Sequence, residues 1–209
     1  MSKDKNLKLK DKLPALTVYC GASSGLKPIY LETAEALGKL FAEEGIHLVY
    51  GGGDKGLMGK VSSTVIENGG TATGIIPDFM IELEWVNKDL DDLKVVKTMS
   101  ERKNLLLNLA EGIVMLPGGI GTMEEFFEAL SWSQLLIHEK PIGILNIDGY
   151  YDNLLELIHG LQKEGFVDTK TSDLYVVDSD PRKLLEKMAE WNHHDTIKEL
   201  TNIEDIEEE

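Results

Sequence analysis

The chain has 209 residues, of which 42% are hydrophobic and 28% charged, as is usual for one globular α/β domain with a sizeable core. Its 21 Lys and Arg against 37 Asp and Glu give a formal net charge of −16, which argues against a nucleic-acid polymer as partner because binding that backbone needs clustered cations. A mononucleotide stays compatible with this charge, since one phosphate needs only a local positive site.

The cysteine and histidine content and the first residues of the chain indicate which covalent links, metal sites and cellular compartment to expect. Cys20 is the one cysteine, so neither an intrachain disulfide nor a cysteine-based zinc site is expected. The five histidines form no HExxH pattern, and no metal site is predicted. Met1–Lys12 is polar and has no apolar stretch of a signal peptide, and no run approaches the ~20 apolar residues of a membrane span. A cytoplasmic protein that does not enter a membrane is expected.

Short apolar runs alternate with longer segments of helical periodicity. The predicted strands are Leu16–Cys20, His47–Tyr50, Ala72–Ile76, Gly112–Leu116, Ile142–Ile147 and Leu174–Val177. The predicted helices are Ile29–Glu44, Leu57–Asn68, Ser100–Ala110, Met123–His138, Tyr151–Glu164 and Pro181–Trp191. Gly45 is expected to end the first of these helices. The stretch Pro77–Thr98 is rich in charge and has no predicted element.

This alternation predicts an α/β fold with a Rossmann-like, doubly wound parallel sheet and helices on both faces. The predicted strands are continuous apolar runs, as expected for a sheet that is covered on both sides. We expect a single Rossmann-like domain over residues 14–192. A charged segment at 1–13 precedes it, and an acidic tail at 193–209 follows.

Glycine-rich turns follow three of the predicted strands: Cys20–Gly25, Gly51–Gly56 and Pro117–Thr122. In such folds ligands bind beyond the carboxyl ends of the strands, and each turn opens a helix whose N-terminus attracts anions. Together the turns indicate a phosphate-bearing small molecule. The alternative is that tight turns need glycine for steric reasons alone. Residues of the first two turns that are candidates for a phosphate or nucleotide contact are Gly21, Ser23, Gly51, Gly52 and Gly53.

The second turn matches the G-x-G-x-x-G pattern of dinucleotide-binding proteins through Gly51, Gly53 and Gly56. That pattern is expected after the opening strand of the fold, whereas this turn follows the second strand. An NAD cofactor is therefore the less favoured interpretation. No G-K-[ST] sequence is present, so a P-loop and ATP hydrolysis are not expected.

The third turn is followed by Thr122-Met123-Glu124-Glu125. One interpretation is a capping box, with Thr122 at the N-cap and Glu125 three residues later. The other is that Glu125 is a functional carboxylate beside an anion-binding turn, and both can hold. Upstream, Arg102 and Lys103 lie near a predicted helix start, where cations oppose the helix dipole. They are either solvated or directed at a phosphate or nucleobase, and the second interpretation is favoured.

These residues resemble the Lonely Guy (LOG) family of cytokinin riboside 5′-monophosphate phosphoribohydrolases, which older labels call lysine decarboxylases. Pro117–Glu125 matches the family's PGGxGTxxE motif, and the resemblance covers about Leu16 to Met188. Further matching segments are Cys20–Gly25, Tyr50–Gly53, Gly56–Gly59, Gly74–Pro77, Glu101–Lys103, Trp132–Leu135, Lys140–Gly143, Asn146–Tyr151 and Glu164–Phe166.

The resemblance implies a homodimer that hydrolyses the N-glycosidic bond of cytokinin riboside monophosphate, AMP or both, without a cofactor or metal. It implies that Arg102 and Glu125 are catalytic. The substrate contacts that it implies are Glu84, Arg102, Lys103, Gly118, Gly119, Ile120, Gly121, Thr122, Met123, Glu124, Glu125 and Ser131. The chain departs from the family pattern at Thr98-Met99-Ser100, at Ser131 and around Glu84-Trp85-Val86-Asn87. These departures concern base specificity more than the chemistry.

Two rival functions remain at this stage. A carrier of a phosphorylated ligand, such as molybdenum cofactor, would use the same glycines without needing both Arg102 and Glu125. A lysine decarboxylase would need a lysine that forms a Schiff base with pyridoxal phosphate, and no local signature marks one.

The homodimer has some support from the residues themselves, because two predicted helices carry apolar residues on more than one face. These residues include Leu105, Leu106, Leu107, Phe126, Phe127 and Leu130.

Overall fold

The structure, a computed structural model, describes residues 8–81, 86, 90 and 92–192. Its strands are β1 Ala15–Tyr19, β2 His47–Tyr50, β3 Ala72–Pro77, β4 Asp92–Val96, β5 Gly112–Met115, β6 Ile142–Leu145 and β7 Tyr175–Asp178. Its α-helices are α1 Leu9–Lys12, α2 Pro28–Glu44, α3 Gly56–Glu67, α4 Met99–Asn108, α5 Ile120–Gln134, α6 Asp152–Lys163 and α7 Pro181–Glu190. Short 3-10 helices lie at Asp78–Met80, Ile147–Gly149 and Thr169–Leu174.

The strands form one parallel sheet in the order β4-β3-β2-β1-β5-β6-β7. The chain builds outward from β1 to β4 and then crosses to β5 on the other side of β1. Leu16 of β1 is accordingly in register with Leu48 of β2 on one side and Gly112 of β5 on the other. The prediction of a doubly wound parallel sheet is confirmed, and its switch in strand order lies between β1 and β5.

Apolar side chains on each face of the sheet form a separate core. On one face, Leu37 of α2, Val61 of α3 and Leu184 of α7 pack with strand residues such as Leu48. On the other face, helices α4, α5 and α6 cover strand residues such as Met115 through Leu106, Phe126 and Ile158. Helices on both faces explain why the strand sequences are continuously apolar. None of the helices in the described ranges is long and apolar enough to cross a membrane.

Apart from the short helix α1, which was not predicted, the element boundaries agree with the predictions to within a few residues, with two exceptions. Gly45 ends α2 with φ of 72°, in the left-handed region that favours glycine, as predicted. The stretch Pro77–Thr98, however, contains β4, which pairs with β3 at the sheet edge and was not predicted. Its alternation of Leu93 and Val95 with Asp92 and Lys94 is typical of a half-exposed edge strand, and the charges conceal that pattern. The other exception is the start of α5.

Candidate active site

The three glycine-rich turns meet at the carboxyl edge of the sheet, on either side of the switch point. The N–H of Gly21 donates to the carbonyl of Pro117 at 3.0 Å, which joins the turn after β1 to the turn after β5. Gly56 has φ of +60°, and a Cβ there would lie 2.4 Å from the backbone of Ala22. The turn after β2 therefore also needs glycine, in order to approach the first turn closely. The prediction that the turns converge is confirmed.

The helices that follow two of these turns differ in what their N-termini can bind. At the start of α3, the N–H groups of Leu57 and Met58 donate to the carbonyl of Gly21 at 3.0 and 3.3 Å. At the start of α5, Gly119 is the N-cap and supplies no side chain to cap the first turn. A Cβ on Gly119 or Gly121 would meet no described atom within 4 Å. The start of α5 therefore suits an anionic ligand, whereas protein atoms already occupy the start of α3.

The predicted capping box at Thr122 and Glu125 is wrong. Helix α5 begins at Ile120, three residues before the predicted start, so Thr122 lies inside the first turn rather than at the N-cap. Its buried side chain packs against Gly118, where a Cβ would lie 2.1 Å from Thr122 Oγ1. A glycine at position 118 is thus required by the packing of the first turn. Glu125 has no capping role here.

Glu125 instead forms a buried ion pair with Arg102. Arg102 Nη1 donates to Glu125 Oε1 at 2.9 Å, and the two side chains are only 5% and 8% exposed. Arg102 Nε donates to the carbonyl of Ile75 at the end of β3 at 3.1 Å. Buried charges are tolerated when they are paired and hydrogen-bonded, so the two elements α4 and α5 are joined by a fixed charged pair. The structure brings together the two residues that the family resemblance marks as catalytic.

Gly51 makes the space that the arginine occupies. A Cβ at position 51 would lie 2.2 Å from Arg102 Nη2, well inside any permitted contact. The glycine of the second turn is therefore explained by the guanidinium beside it. Gly52 has φ of +83°, and Gly53 pairs with Val86 in an isolated antiparallel bridge. Whether Gly51, Gly52 or Gly53 also contacts a phosphate remains a prediction.

Lys103 lies next to Arg102 but has different partners. Its Nζ contacts Glu124 Oε1 at 2.9 Å and Glu128 Oε2 at 2.5 Å, both on α5. The hydrogen bonds with Glu128 and Glu124 raise the pKa of Lys103 above its ordinary value. Lys103 is therefore a cation that is held against α5, close to the helix start but already matched by carboxylates.

The other residues that were predicted to contact substrate lie at different distances from the Arg102–Glu125 pair. Ile120 at the start of α5 is 87% exposed, and Met123 and Glu124 continue the first turns. Ser131 is exposed on α5, and an eleven-residue separation from Ile120 places it about 16 Å along the helix. It does not join the cluster within one chain. Glu84 lies outside the described residues.

A cavity of about 380 Å³ adjoins the third turn. Residues that line it include Gly21, Ser23, Gly118, Gly119, Tyr30 and Tyr150. Arg102 and Glu125 are not among the lining residues. The two tyrosines were not identified as site residues from the sequence, although Tyr150 belongs to a segment that matches the family.

Two other ionisable groups beside the pair are held neutral. Burial, to which the charge of Glu125 adds, raises the pKa of both Tyr19 and Cys20 well above their ordinary values. A thiol that stays protonated is a poor nucleophile. Covalent catalysis by Cys20 is therefore not supported.

Neither Lys103 nor Lys140 suits pyridoxal phosphate. A Schiff-base lysine must be available as a neutral amine, whereas two carboxylates hold Lys103 in its charged form. Burial lowers the pKa of Lys140, but its Nζ donates to the carbonyls of Leu107 and Ala110, near the opposite edge of the sheet. Among the residues that the structure describes, no group of His, Cys, Asp and Glu could hold a metal ion.

Comparisons with known proteins agree with this arrangement. A family model described as "Possible lysine decarboxylase" matches residues 58–188. A rice protein (Oryza sativa subsp. japonica) named probable cytokinin riboside 5′-monophosphate phosphoribohydrolase LOG4 is 42% identical over 175 residues, covering 84% of this chain and 76% of that protein. The Arabidopsis thaliana phosphoribohydrolase LOG7 is 40% identical over 182 residues, covering 87% of this chain and 84% of the relative.

Solved structures are similar in fold. The molybdenum cofactor carrier protein from Chlamydomonas reinhardtii has a TM-score of 0.62 at 22% identity, covering 85% of this chain and 97% of that one. The molybdenum cofactor binding protein from Rippkaea orientalis also has a TM-score of 0.62, at 25% identity, covering 83% and 93% of the two chains.

The fold and the site define a Rossmann-like α/β protein with an uncapped helix start, of a kind that suits an anion, and a buried Arg–Glu pair on the same helix. Within that class, the sequence matches assign the chain: it belongs to the LOG family, whose relatives named above are phosphoribohydrolases.

Proposed function

We propose that this protein hydrolyses the N-glycosidic bond of an adenine-type nucleoside 5′-monophosphate, releasing the free base and ribose 5-phosphate. The observation that carries the proposal is the buried pair of Arg102 and Glu125 next to the open N-terminus of α5. The curated relatives act on cytokinin riboside 5′-monophosphates according to their names. AMP and its N6-substituted forms are therefore the substrates to test first.

The chemistry needs a carboxylate and a cation close together. Breaking the C1′–N9 bond builds positive charge on the ribose and negative charge on the departing base, and the enzyme must stabilise both. Glu125 would face C1′ and take a proton from water as its oxygen adds to that carbon. Arg102 would offset the charge of the base, which leaves with the electron pair of the broken bond and then takes up a proton.

The phosphate would bind at the start of α5. No side chain caps the first turn of α5, a Cβ on Gly119 or Gly121 would meet no described atom within 4 Å, and the helix dipole favours an anion there. Gly118, Ile120 and Thr122 shape the turn, and Lys103 adds a cation nearby. The chain's net charge of −16 would repel a polyanion, whereas the local site can still attract a single phosphate. Together these two effects would favour a mononucleotide over a nucleic-acid polymer.

A direct assay tests this function. Purified protein is incubated with AMP, isopentenyl-AMP, GMP and CMP, and the products are separated by chromatography. Free adenine or isopentenyladenine together with ribose 5-phosphate is expected, with less product from GMP and CMP. Failure to release a base from any of the four would contradict the proposal.

The phosphate assignment makes a separate prediction about substrate form. Adenosine should be a very poor substrate beside AMP, because each lost charge-assisted hydrogen bond costs about 1.5–3 kcal/mol. Two such contacts correspond to a loss of roughly 100-fold or more in kcat/KM. Steady-state rates for adenosine and AMP at equal concentrations check this. Equal turnover of the two would show that the turn does not bind the 5′-phosphate.

A carrier function has less support than hydrolysis. The likeness to the Chlamydomonas carrier protein, at 22% identity, extends to the fold. Binding alone would not need an arginine and a glutamate that are buried together beside the turn. The pair therefore favours the enzyme.

We propose a homodimer that is formed through one exposed face of α5. Four of the six apolar residues named for the predicted interface, Leu106, Leu107, Phe126 and Leu130, lie in the protomer's own core. Phe127, one of the other two, belongs to a set of apolar residues that is exposed along α5 and just after it. This α5 patch consists of Ile120, Phe127, Leu135, Leu136 and Ile137, with exposures of 87, 36, 66, 48 and 60%.

The geometry of the α5 patch supports an interface. Leu136 has φ of 59°, a conformation that is costly for a leucine, and it turns an apolar side chain toward solvent. Contiguous exposed apolar residues of this kind often mark contacts between proteins. Ser131 is on the same helix face as Phe127, so in this dimer it would belong to the interface rather than to its own chain's turn.

The dimer is tested by light scattering. The expected mass is twice the chain mass of 23.2 kDa at micromolar concentration. Phe127→Glu should shift the protein toward the monomer, because a charge would be buried in the contact. Val95→Glu, on the edge strand β4, is the matched control and should leave the mass unchanged. A monomeric wild-type protein would rule out the proposed dimer.

We also propose that residues 14–192 form one functional unit and that the enzyme works in the cytosol. Phosphorylated nucleosides do not cross membranes unaided, so such a substrate is most available inside the cell. The acidic segment 193–209 lies outside the described residues.

A further inference from the structure

Two neighbouring tyrosine side chains hold the third turn by hydrogen bonds. Tyr150 Oη donates to the carbonyl of Gly118 at 2.7 Å, and Tyr151 Oη donates to the carbonyl of Leu116 at 2.6 Å. Neither residue is part of the Arg102–Glu125 pair or of the proposed phosphate contacts. The two hydrogen bonds lie on either side of Pro117, within the turn that leads into α5.

The segment Asn146–Asp152 places these tyrosines. Asp148 and Gly149 have φ of 51° and 70°, which reverses the chain directly after β6. Asn146 Oδ1 accepts from the N–H of Tyr151 at 2.8 Å, and Asn146 Nδ2 donates to Asp152 Oδ1 at 2.7 Å. Lys27 Nζ reaches Asp148 Oδ2 at 2.6 Å and ties the segment to the end of the first turn. A dedicated local structure thus orients both rings.

Packing holds the rings themselves. Tyr151 is fully buried, and its ring lies edge-to-face with that of Tyr150, with 4.8 Å between the ring centres. Tyr30 of α2 packs edge-to-face against the other side of Tyr150 at 5.5 Å. Such pairs restrict ring rotation and add to the energy of burial. Burial also raises the pKa of Tyr151, so its hydroxyl stays a donor.

The hydrogen bond to Gly118 fixes a peptide plane at the proposed phosphate site. In a planar trans peptide, the carbonyl of one residue and the N–H of the next point in opposite directions. Holding the carbonyl of Gly118 therefore directs the N–H of Gly119 away from Tyr150. Gly118 and Gly119 both lack Cβ atoms, so their shared peptide has little steric resistance to rotation. An external anchor is the simplest way to keep this N–H in one orientation.

We infer that Tyr150 and Tyr151 are positioning residues that preorganise the Pro117–Thr122 turn for the substrate's 5′-phosphate, an inference that rests on the proposed function. They touch neither the reacting atoms nor the phosphate in this arrangement. Tyr150 fixes the peptide between Gly118 and Gly119, and Tyr151 fixes the carbonyl that precedes Pro117. A preformed anion site costs less reorganisation when the ligand binds.

The test is a pair of single-atom deletions, Tyr150→Phe and Tyr151→Phe. The dissociation constants of ribose 5-phosphate and adenosine are measured by calorimetry, together with kcat and KM for AMP. For Tyr150→Phe, the dissociation constant of ribose 5-phosphate and the KM for AMP should rise together by roughly tenfold, the effect of one lost hydrogen bond. Affinity for adenosine should not change, because adenosine carries no phosphate. Tyr151→Phe should act in the same direction.

A matched control separates positioning from general stability. Tyr175→Phe removes a hydroxyl from a ring that packs against Phe126 on α5, away from the turn, and should leave both dissociation constants unchanged. Unchanged ribose 5-phosphate affinity in both turn variants would overturn the inference, as would an equal loss of affinity for adenosine. If the wild-type protein binds ribose 5-phosphate no better than ribose, the phosphate assignment itself is wrong, and that outcome is distinct from failure of the inference.

Discussion

Glu125→Gln is expected to hydrolyse AMP at least roughly 100-fold more slowly than the wild-type protein. Glutamine keeps the length and shape of the side chain and can still accept a hydrogen bond from Arg102 Nη1. It loses the negative charge that would stabilise the ribosyl cation and accept a proton from water. The KM for AMP should change little, because the proposed phosphate contacts at the start of α5 are intact. Steady-state kinetics measure both quantities.

The same variant should also be less stable, for a reason that only the structure reveals. Without the carboxylate, the buried guanidinium of Arg102 has no countercharge, and breaking a buried pair costs about 3–5 kcal/mol. The retained hydrogen bond should keep the loss toward the lower end of that range. In a chain of this size, each kcal/mol lowers the melting temperature by about 2–4 °C. Rates should therefore be compared well below the melting temperature of the variant.

Glu128→Gln is the matched control. Glu128 is another acid of α5, and it pairs with Lys103 rather than with Arg102. Its amide variant should keep a rate close to that of the wild type. A wild-type rate in Glu125→Gln would mean that Glu125 serves only as the structural partner of Arg102, and the proposed mechanism would be wrong.

Arg102→Met should be the most destabilising substitution at the site. Methionine approximates the length of the arginine side chain but leaves Glu125 buried without its cation. The hydrogen bond to the carbonyl of Ile75 is lost as well. We expect a loss of about 3–5 kcal/mol in the free energy of unfolding, with hydrolysis reduced by 100-fold or more. Urea unfolding and AMP hydrolysis provide the two measurements.

The double variant Arg102→Met with Glu125→Gln separates folding from catalysis. With both charges removed, neither side chain leaves an uncompensated charge, so much of the stability lost in Arg102→Met should return. Activity should stay as low as in the single variants, because both groups that the proposed mechanism requires are absent. Recovery of activity together with stability would show that the pair supports the fold and does not take part in hydrolysis.

The fold could be predicted from the sequence because its signals are local. Continuous apolar strands, helical periodicity and Gly45 each act within a few residues, and together they indicated a doubly wound sheet. β4 was missed because an edge strand buries only one side, and Asp92 and Lys94 made its segment resemble a loop. The start of α5 was misplaced because a glycine N-cap carries no side-chain signal. Thr122 therefore seemed the better candidate for the cap.

The candidate site was predicted less completely. Arg102 and Glu125 were singled out by their positions near predicted helix starts and were given catalytic roles by the family resemblance, whereas their direct pairing depends on how α4 and α5 lie across β1 and β3. Ser131 shows the reverse. It follows the third turn closely in the sequence, but the length of α5 places it far from that turn within one chain. Tyr150 was overlooked as a site residue, since a hydrogen bond between residues 32 positions apart leaves no periodic signature in the sequence.

The missing side chain at Gly51 has a consequence for how this protein can vary. The guanidinium of Arg102 occupies the space where a side chain at position 51 would begin, and a Cβ there would lie 2.2 Å from Arg102 Nη2. Positions 51 and 102 should therefore covary: homologues with alanine or a larger residue at 51 should have a smaller side chain than arginine at 102. An alanine at 51 would force the guanidinium of Arg102 out of its place beside Glu125, so that, under the proposed mechanism, a glycine outside the family's principal motif restricts which descendants of this chain can stay active.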